Sequence, residues 1–533
     1  MDKRIDVIVA VRNSDIFQRG LVESLKDVIV PDGWQVQIIG VAGSGSKAAI
    51  YDAAMKESPA KYKIYIDEGC RIANNRFLID LLDIFSKDKS IGAVGVAGVK
   101  QLPLDGVFGQ GQEFIGIDDN REEPLHEDGD ELLCDDVMAV DGCFLATAED
   151  CGWRKDLFKE DAYVVLAQCF EVRRRGKRVV APGRNLHWVR PGLTDTATNP
   201  SSGQAVFLQE YGKEFLPLVA VLIPTYNRPE YFRQALESVL SQTYTNLEIL
   251  VSDDGDNDLT EKLVQPYLAN DKRIKYVHHK NFTAAENWSY LESHVNPKAE
   301  YVAWLMDDDL FFPEKIEQML KCYLEHKGVA LVTSKRMLID EDGNELPDIR
   351  ATAPVVGKTS IIRGEAAGAL ALKEMTNYIG EPSTVLIKKK YLVEGHRLGG
   401  VLYKTGTALG DVATWLYALE QGDLIYIREP LSCFRMHANQ SQSGREMVVN
   451  CLISWALLIQ HYWRKRRFLV TEKDYRVALC NYLSITSEYM LQLEKEDYDS
   501  ELYRRLVNIY VKMAESLNNG YVTDFSVYDE IWD

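Results

Sequence analysis

Apolar and polar positions alternate along the chain in a way that predicts an α/β fold. Short apolar runs that suit buried strands are separated by segments with helical spacing, so each strand is followed by a crossover to the next. The predicted strands of the first part are residues 4–11, 34–41, 62–66, 91–99, 140–146 and 178–181, with helical segments at 44–58 and 156–175. This alternation predicts a mostly parallel sheet.

The same pattern begins again near residue 217. Strands are predicted at 218–223, 247–251, 274–278, 301–306 and 329–333, with helical segments between them. Both halves run in one order: a strand, a turn that carries Arg and Asn, a helix, a strand, a helix, a strand and an acidic turn. This repetition predicts a diverged tandem duplication, with domains at 1–190 and 217–445. Residues 191–216 are predicted to be a linker, with turn-forming residues at 191–204 and a short helix that runs to residue 215.

From residue 446 onwards the pattern predicts long helices. Residues 448–463 are largely apolar and are followed by four basic residues, 464–467. With about a dozen apolar residues the segment is short for a membrane-spanning helix. It predicts a core helix, and an interfacial helix with a basic anchor is the alternative. Two more helices are predicted within 473–517, which makes 446–533 an α-helical C-terminal region.

Composition narrows the class of protein. A chain of 533 residues is too long for one core, and its 46% hydrophobic and 26% charged residues are ordinary for a globular protein. The net charge of −19 argues against nucleic-acid binding. The chain starts without a signal-peptide pattern, and its nine cysteines are scattered without a CxxC pair. Reduced thiols in a cytoplasmic protein are therefore expected.

Three adjacent carboxylates follow the apolar run 301–306: Asp307, Asp308 and Asp309. The carboxyl ends of buried parallel strands are where open α/β sheets bind ligands. Adjacent carboxylates repel one another unless a cation or hydrogen bonds offset their charge. The motif therefore suits a divalent ion that bridges the protein to a diphosphate. Taken alone, it fits a solvated acidic turn equally well.

Three more polar clusters fall at predicted strand ends of the second half. They are 224–228 (PTYNR), 253–255 (DDG) and 410–411 (GD). Strand ends that are distant in sequence meet in one crevice of a doubly wound sheet. We therefore expect these clusters to form a single site together with the acidic motif.

The segments that contain these clusters resemble the family 2 inverting glycosyltransferases, which have the nucleotide-sugar-binding GT-A fold. The resemblance covers residues 217–445 and is carried by VLIPTYNRPEYFRQALESVLSQTYTNLEILVSDDGDND, AAENW, YVAWLMDDDLFFPEKIEQM and LGDVATWLYALEQG, in the family's order. It implies a metal-dependent transfer of a sugar from a nucleotide-sugar donor, UDP-linked, with inversion at the sugar carbon.

The resemblance assigns a role to each matching residue. The residues implied to bind the nucleotide are Pro224, Thr225, Tyr226, Asn227, Arg228, Asp254 and Asp307. Asp254 would accept a hydrogen bond from the base N–H, which suits uracil because a carboxylate needs a donor edge opposite it. Asp307 is implied to lie near the ribose.

The implied metal ligands are Asp308, Asp309 and His437, with Mn²⁺ or Mg²⁺ as the ion. Both ions take carboxylate and phosphate oxygens, and the ion would neutralise the leaving nucleoside diphosphate. His437 lies in the segment FRMH, which resembles the family's closing segment; a structural histidine is the alternative. The residues implied to lie on the acceptor or donor side are Asn287, Glu381 and Arg435.

Asp411 matches the position of the family's catalytic base. Inversion needs one carboxylate that removes the proton of the acceptor hydroxyl while the diphosphate leaves from the opposite face. The alternative for Asp411 is an N-cap of the helix that follows it.

The first half resembles a neighbouring glycosyltransferase-like family more weakly. The matching segments are residues 10–13, 42–54, 61–69, 140–158 and 170–182. Gly69 stands where that family places its metal carboxylate, and Val164 and Val165 stand where a Tyr-Asp pair is expected. An apolar side chain cannot take up a proton, so the first half is expected to be catalytically inactive.

These observations predict a cytoplasmic glycosyltransferase, or one at the inner face of the membrane. Its acceptor would be a glycan, a glycolipid or other lipid-linked molecule, or a glycoprotein, in surface polysaccharide or glycoprotein synthesis. One alternative is a two-site glycan polymerase with both halves active. Another is a non-catalytic sugar- or nucleotide-binding scaffold. Peripheral membrane contact and homo-oligomerisation are left open by the sequence.

Overall fold

The computed structural model describes residues 3–115, 134–182, 188–190, 202–392, 394–395, 408–437, 444–493 and 500–518. The chain divides into two compact units, Met1–Leu216 and Pro217–Asp533. Residues 117–136 are rich in Asp and Glu, and their sequence predicts a solvated insertion, with the rim of a site as the alternative. Most of this segment, and residues 191–201 of the predicted linker, lie outside the described residues.

The first unit is built on a mixed sheet in which most strands run in the same direction. Its strands are β1 Arg4–Val11, β2 Gln35–Ala42, β3 Tyr62–Ile66, β4 Arg71–Ile72, β5 Ile91–Gly95, β6 Gly98–Gln101, β7 Gln112–Ile115, β8 Cys134–Asp136, β9 Ala139–Val140, β10 Phe144–Thr147, β11 Arg178–Pro182 and β12 Val189–Arg190. Its helices are α1 Ser14–Phe17, α2 Glu23–Leu25, α3 Lys47–Glu57, α4 Phe77–Lys87, α5 Val164–Arg174 and α6 Ser202–Phe215. The main sheet has the order β2-β1-β3-β10-β5-β11-β8.

The second unit repeats this plan in a larger sheet. Its strands are β13 Leu218–Thr225, β14 Leu247–Asp253, β15 Ile274–His278, β16 Ala299–Trp304, β17 Leu310–Phe311, β18 Val329–Ile339, β19 Glu345–Leu346, β20 Ser360–Ile362, β21 Val385–Lys388 and β22 Asp423–Arg435. Its helices are α7 Pro229–Leu240, α8 Leu259–Asn270, α9 Ala284–Ser293, α10 Lys315–Glu325, α11 Gly364–Glu374, α12 Gly410–Gln421, α13 Arg445–Arg464, α14 Glu472–Met490 and α15 Glu501–Asn518. The main path of the sheet is β15-β14-β13-β16-β21-β18-β22-β17.

The expectation of two α/β units with mostly parallel sheets, followed by helices, is confirmed. One difference is that β10 and β21 run antiparallel to both of their neighbours. These strands have only four residues each, and such short runs do not reveal their direction in the sequence. A second difference concerns the sheet edges. β2 is an edge strand of the first unit, whereas β15 covers β14 in the second.

Helix α6 lies within the segment that was predicted to be a linker. Phe207 and Tyr211 on this helix are fully buried, and both rings contact Phe170 of α5. Arg174 of α5 also pairs with Glu210 and Glu214 of α6. Residues 202–215 are therefore a packed part of the first unit.

The C-terminal helices share one hydrophobic core with the sheet of the second unit. Buried residues of α13 and α14, such as Ile453 and Tyr482, belong to the same cluster as Trp415 of α12 and Leu424 of β22. Among the described residues, no helix combines the length and apolarity that a membrane-spanning segment requires. Helix α13 thus has the packing expected of a core helix.

The parallel register of the second sheet determines where the polar clusters lie. Thr225 at the end of β13 pairs with Asp253 at the end of β14, and Leu222 pairs with Trp304 at the end of β16. The three turns that follow these strands therefore lie along one edge of the sheet. This edge carries the PTYNR, DDG and DDD clusters.

Candidate active site

Asp307 ties the turn after β16 to the end of β13. Its Oδ2 accepts hydrogen bonds from Thr225 Oγ1 at 3.0 Å and from the backbone N–H of Tyr226 at 3.2 Å. Burial, together with the neighbouring charge of Asp308, raises the pKa of Asp307 to about 7, and Arg228 opposes the shift. Asp307 therefore fixes the loop that begins the PTYNR segment.

Asp308 lies between a cation and a histidine. Its Oδ2 is 2.9 Å from Arg228 Nη1 and 3.0 Å from His437 Nε2. The His437 ring packs against Tyr231, with the ring centroids 5.3 Å apart. Asp308 and His437 were both predicted to bind a metal ion, and the structure brings their ligand atoms together. Arg228, predicted to bind the nucleotide, also donates to Asp307.

Asp309 and Arg435 occupy positions that differ from their predicted ones. Asp309 is only 1% exposed, and its Oδ1 accepts the backbone N–H of Arg435 at 3.1 Å. Burial, with the charge of Asp308, holds the pKa of Asp309 well above its usual range. The backbone N–H of Asp309 donates to Met306 O, so the chain turns here and directs this third carboxylate into the protein. Asp309 is therefore not placed beside Asp308 and His437 as a third ligand.

The guanidinium of Arg435, a residue implied to lie on the acceptor or donor side, is held by protein groups. Nε donates to Asp308 O at 2.8 Å, and Nη2 donates to Gln234 Oε1 at 2.9 Å. Nη1 donates to the backbone carbonyl of Glu341 at 3.0 Å, and the guanidinium stacks on Tyr231. Arg435 is 1% exposed. It ties β22 to the acidic turn and to α7.

Asp254 follows β14 and is held by Asn287. Asn287 Nδ2 donates to Asp254 Oδ1 at 2.8 Å and to Ser252 O at 3.1 Å. Burial raises the pKa of Asp254 to about 6. Asn287 was predicted to lie on the acceptor or donor side, and the structure places it behind the carboxylate implied to read the base. Helix α9 fixes its position through a capping box of Thr283 and Glu286.

Tyr226 and Asn227 form an open wall beside Asp254. Tyr226 is 50% exposed, and its hydroxyl donates to Asp256 Oδ2 at 2.8 Å. Asn227 adopts a left-handed conformation with φ of 54°, and its Nδ2 also donates to Asp256. Pro224 is buried within β13. Asp256 was not predicted; it is a carboxylate two residues past Asp254 that orients both polar side chains.

Asp411 is the second residue of α12, which Leu409 precedes in a left-handed conformation. Asn377 Nδ2 donates to Asp411 Oδ2 at 3.1 Å. Burial raises the pKa of Asp411 to about 6, although the N–H of Val412 opposes the shift. Asp411 lies in the first turn of α12 but is not its N-cap, because the N-cap residue is Leu409. The capping alternative for Asp411 is therefore wrong.

A small cavity that is open to solvent lies beside Asp411. Three tryptophans, Trp288, Trp304 and Trp415, line it together with Asp411 and Glu292. The rings of Trp288 and Trp304 are stacked, with centroids 4.5 Å apart. Neither Asp254 nor Asp308 lines this cavity.

Glu381 connects the surroundings of Asp411 with those of the acidic turn. Its charge raises the pKa of both Asp411 and Asp309. Its carboxylate pairs with Arg336, with Nε and Oε2 2.5 Å apart. Arg336 was missed by the sequence reasoning. The available signal was a charged residue inside the apolar strand 329–339, because a buried charge needs a partner.

Two family models match the chain. Residues 6–211 match the model described as a glycosyltransferase like family, and residues 220–381 match that of glycosyl transferase family 2. The chain belongs to the family 2 glycosyltransferases. Since each unit carries one match, the expected tandem of GT-A-type domains is confirmed.

Relatives of this family 2 glycosyltransferase occur in several bacteria. An uncharacterised glycosyltransferase of Rickettsia felis is 28% identical over 49% of this chain and 41% of that protein. Glycosyltransferase GlyG of Streptococcus pneumoniae is 24% identical, covering 54% of this chain and 93% of GlyG. A Campylobacter jejuni GalNAc(5)-diNAcBac-PP-undecaprenol beta-1,3-glucosyltransferase is 25% identical, covering 51% and 83%. The match spans about two fifths of the rickettsial relative's own length.

Solved structures are also similar to this glycosyltransferase. Staphylococcus aureus TarS is 13% identical, with 56% of this chain and 55% of that chain covered and a TM-score of 0.35. The mannosyltransferase PcManGT of Pyrobaculum calidifontis, solved with GDP-Man and Mn²⁺, is 15% identical. That match covers 57% of this chain and 88% of that chain, with a TM-score of 0.31.

Proposed function

We propose that the second unit transfers a sugar from a UDP-linked donor to an acceptor hydroxyl, with inversion at the sugar carbon. The observation that carries the proposal is the meeting of Asp308 with Arg228 and His437 at the sheet edge where Asp254 also lies. A carboxylate, an imidazole and a guanidinium at one point suit a cation and a diphosphate. Nucleotide-sugar-dependent transfer is the chemistry of the family.

The residues present fit a divalent ion in kind. Asp308 Oδ2 and His437 Nε2 offer one oxygen and one nitrogen donor, a set that Mn²⁺ accepts. In the described part of the chain, no group of three or more His, Cys, Asp or Glu side chains is placed to hold a metal ion. Asp308 and His437 would therefore hold the ion together with diphosphate oxygens. A bound ion supplies Lewis-acid stabilisation of the leaving diphosphate.

Asp254 is the group that would select the base. Asn287 holds one of its oxygens, so the carboxylate has a fixed direction. An ionised carboxylate accepts hydrogen bonds only, and the N3–H of uracil supplies the donor that it needs. Tyr226, which is half exposed, offers a ring face beside it. A UDP-linked donor fits this set of groups.

Asp411 would act as the base on the acceptor. With a pKa of about 6 the carboxylate is ionised at neutral pH and basic enough to take up a proton in the transition state. The acceptor hydroxyl gives its proton to Asp411 as its oxygen bonds to the sugar carbon. The bond from that carbon to the diphosphate breaks at the same time, and the diphosphate keeps the electron pair.

A glycan acceptor, carried on a lipid or a protein, agrees with the surroundings of Asp411. Of the tryptophans that line the cavity beside the base, Trp288 is only partly buried, and a second carboxylate, Glu292, lies in the same wall. Aromatic faces and carboxylates are suited to sugar rings. The Campylobacter jejuni relative is named for a lipid-linked glycan acceptor, which supports surface polysaccharide synthesis for this chain. All nine cysteines are free thiols, which suits a cytoplasmic site.

The proposal is tested by incubating the full chain with Mn²⁺ and a panel of UDP-, GDP- and dTDP-sugars, and by measuring release of the nucleoside diphosphate. We expect slow hydrolysis of at least one UDP-sugar and none of the others. Asp308→Ala should abolish it, whereas Asp342→Ala, which changes an exposed carboxylate, should leave it unchanged. Absence of both hydrolysis and UDP binding across the panel would overturn the proposal. UDP binding without any hydrolysis would favour the scaffold.

A further inference from the structure

A buried ion pair lies next to Asp411 and has no role in the mechanism above. Arg336 on β18 is 1% exposed, with its Nε 2.5 Å from Glu381 Oε2 and its Nη2 3.2 Å from Oε1. Replacing such a pair with apolar residues is often neutral or stabilising, because burying two charges is unfavourable. Stability alone therefore gives no reason for placing a charge in the middle of β18.

Asn377 links this pair to Asp411. Arg336 Nη2 donates to the backbone carbonyl of Asn377 at 3.3 Å, and the side chain of Asn377 donates to Asp411 Oδ2 at 3.1 Å. The amide of Asn377 has a fixed orientation, because its Oδ1 accepts the N–H of Gly380 at 3.0 Å. Its NH₂ group must then face Asp411 and the carbonyl of Gly380.

Gly380 holds Asn377 in place through its own conformation. Its φ is +113°, and a Cβ added here would meet Thr384 Oγ1 at 2.2 Å, so only glycine fits. Trp415 Nε1 donates to the Gly380 carbonyl at 3.1 Å, which anchors the turn to α12, the helix that carries Asp411. The turn and the helix are thus fixed to each other on both sides of the carboxylate.

Few charges act on Asp411 in the described structure. Glu381 raises its pKa and Arg336 lowers it. Glu292 of α9 lies in the wall of the same cavity, and Cys451 of α13 has its own pKa raised to about 11 by burial and by Asp411. The Arg336–Glu381 pair is therefore the source of both a positive and a negative charge close to this carboxylate.

We propose that Asn377 and the Arg336–Glu381 pair are positioning residues for Asp411. Asn377 fixes the direction of the carboxylate, and the ion pair balances the charge around it so that it stays ionised yet basic. The inference rests on the proposed role of Asp411 as the base. It replaces the predicted role of Glu381 on the acceptor side, because the Glu381 carboxylate is turned to Arg336.

Two isosteric changes test the charge balance in opposite directions. The readout is kcat for donor hydrolysis at saturating donor between pH 5 and 9, which reports groups in the donor complex. Glu381→Gln removes a negative neighbour of Asp411. The acid limb of the pH profile, where kcat falls at low pH, should therefore move to lower pH by about one unit. Asn377→Asp adds a negative neighbour, so the limb should move to higher pH by a similar amount. Glu345→Gln, at an exposed position on β19, should leave it in place.

A second measurement separates positioning from loss of the fold. UDP affinity in the presence of Mn²⁺ should stay within about twofold of the parent for both variants, because neither residue touches the donor groups. Asn377→Ala should lower kcat about tenfold at pH 8 with the same UDP affinity. The inference would be overturned if UDP binding is intact and the acid limbs of Glu381→Gln and Asn377→Asp stay in place or move in the same direction.

Asp411→Asn distinguishes this inference from the proposed function. If Asp411→Asn keeps its hydrolysis rate, the proposed base is wrong and the inference falls with it. If Asp411→Asn loses the rate while Glu381→Gln and Asn377→Asp leave the limb unmoved, the base stands and only the positioning roles are rejected.

Discussion

In both units, one strand pairs in parallel with the first strand on the side away from the second: β3 in the first unit and β16 in the second. A carboxylate that follows this strand accepts the backbone N–H after the first strand. Glu68 Oε2 accepts the N–H groups of Arg12 and Asn13 at 2.7 and 2.9 Å. Asp307 Oδ2 accepts the N–H of Tyr226. The register agrees, because Glu68 lies three residues past Tyr65, the partner of Ile8, and Asp307 lies three residues past Trp304, the partner of Leu222. This carboxylate is kept in both units because it joins two strand ends.

The same register shows which carboxylates the first unit lacks. The residue after Glu68 is Gly69, whereas the residue after Asp307 is Asp308. At the end of the second strand, Gly43 follows Ala42, the partner of Val11, whereas Asp254 follows Asp253, the partner of Thr225. The first unit therefore has glycine at both positions where the second has a carboxylate directed at the proposed donor.

The first unit lacks a third carboxylate, in the helix that precedes β11. The corresponding helix of the second unit is α12, which precedes β22. Helices α5 and α12 each follow a residue in the left-handed conformation, Tyr163 with φ of 63° and Leu409 with φ of 64°. The second residue of the helix is Val165 in the first unit and Asp411 in the second. Val165 is buried and carries no titratable group.

Cations of the first unit are engaged by its own acidic and carbonyl groups. Lys47 Nζ lies 2.6 Å from Asp67, and Arg12 donates to the carbonyl oxygens of Gly43 and Gly45 and to Asp161. In the second unit, Arg228 and His437 instead gather at Asp308. The comparison separates two kinds of acidic residue on one scaffold: one that holds strands together, and three for which we propose a role in binding or turnover of the substrate.

The largest effect expected from this comparison is on turnover. Asp411→Asn keeps the shape of the side chain but cannot take up a proton, so kcat for sugar transfer or hydrolysis should fall about 10²–10⁴-fold. Asp67→Asn, in the corresponding crevice of the first unit, should leave kcat within about twofold of the parent. The measurement is release of nucleoside diphosphate at saturating donor. Loss of one sugar specificity in Asp67→Asn would favour a polymerase with two active sites.

Much of this arrangement could be predicted from the sequence, for a physical reason. Parallel strands place their carboxyl ends at one edge, so the clusters containing Thr225, Asp254 and Asp308 could be grouped from strand order alone. The side-chain direction of Asp309 could not be predicted. Three consecutive residues in a turn point in different directions. The hydrogen bonds from Asp309 N to Met306 O and from Arg435 N to Asp309 Oδ1 fix which one faces inward.

The groups around Asp411 could not be predicted from local sequence either. Arg336 and Glu381 are 45 residues apart, and Asn377 and Asp411 are 34 residues apart. Their pairing depends on the placement of β18 beside the turn at 377–381. The sequence showed only that a charge lies inside an apolar strand. Which residue neutralises it depends on tertiary structure.

A second effect concerns the number of donor sites. Because Gly43 and Gly69 stand where the second unit has Asp254 and Asp308, the full chain should bind about one UDP in the presence of Mn²⁺, measured by isothermal titration calorimetry. Asp308→Ala should weaken that binding at least about tenfold, as expected for a lost metal contact. Two UDP sites, or one site that Asp308→Ala leaves unchanged, would contradict the division of roles between the units.

A third effect concerns pH. Asp254 and Asp411 both have a pKa raised to about 6 by burial, so both are ionised above that value and protonated below it. At pH 5, kcat should fall about tenfold through Asp411, and KM for the UDP-sugar should rise through Asp254. In Asp254→Asn the KM should be high at every pH, and its dependence on pH should vanish. Activity that persists unchanged at pH 5 would point to a site that uses neither carboxylate.

The smallest effect concerns stability. It arises from Asp254, the carboxylate that stands where the first unit has Gly43. The pKa of Asp254 is about 6 in the folded chain against 3.8 for the free side chain, so the folded state binds the proton more tightly than the unfolded state does. Stability is therefore lost as pH rises from about 4 to 6, and the loss is complete above 6. At 1.36 kcal/mol per pKa unit, ionised Asp254 destabilises the fold by up to about 3 kcal/mol.

Asp254→Asn should remove the destabilisation caused by the ionised carboxylate, while Asn287 keeps a hydrogen-bond partner. The melting temperature of the second unit should rise by up to about 6–12 °C at pH 8, at roughly 2–4 °C per kcal/mol, and should change little at pH 4. Asp256→Asn is the control with opposite sign, because hydrogen bonds from Asn227 and Tyr226 lower the pKa of Asp256. Calorimetry at the two pH values measures both. If Asp254→Asn fails to gain stability at pH 8, Asp254 is not strained by burial, and Gly43 in the first unit reflects the loss of a ligand without any gain in stability.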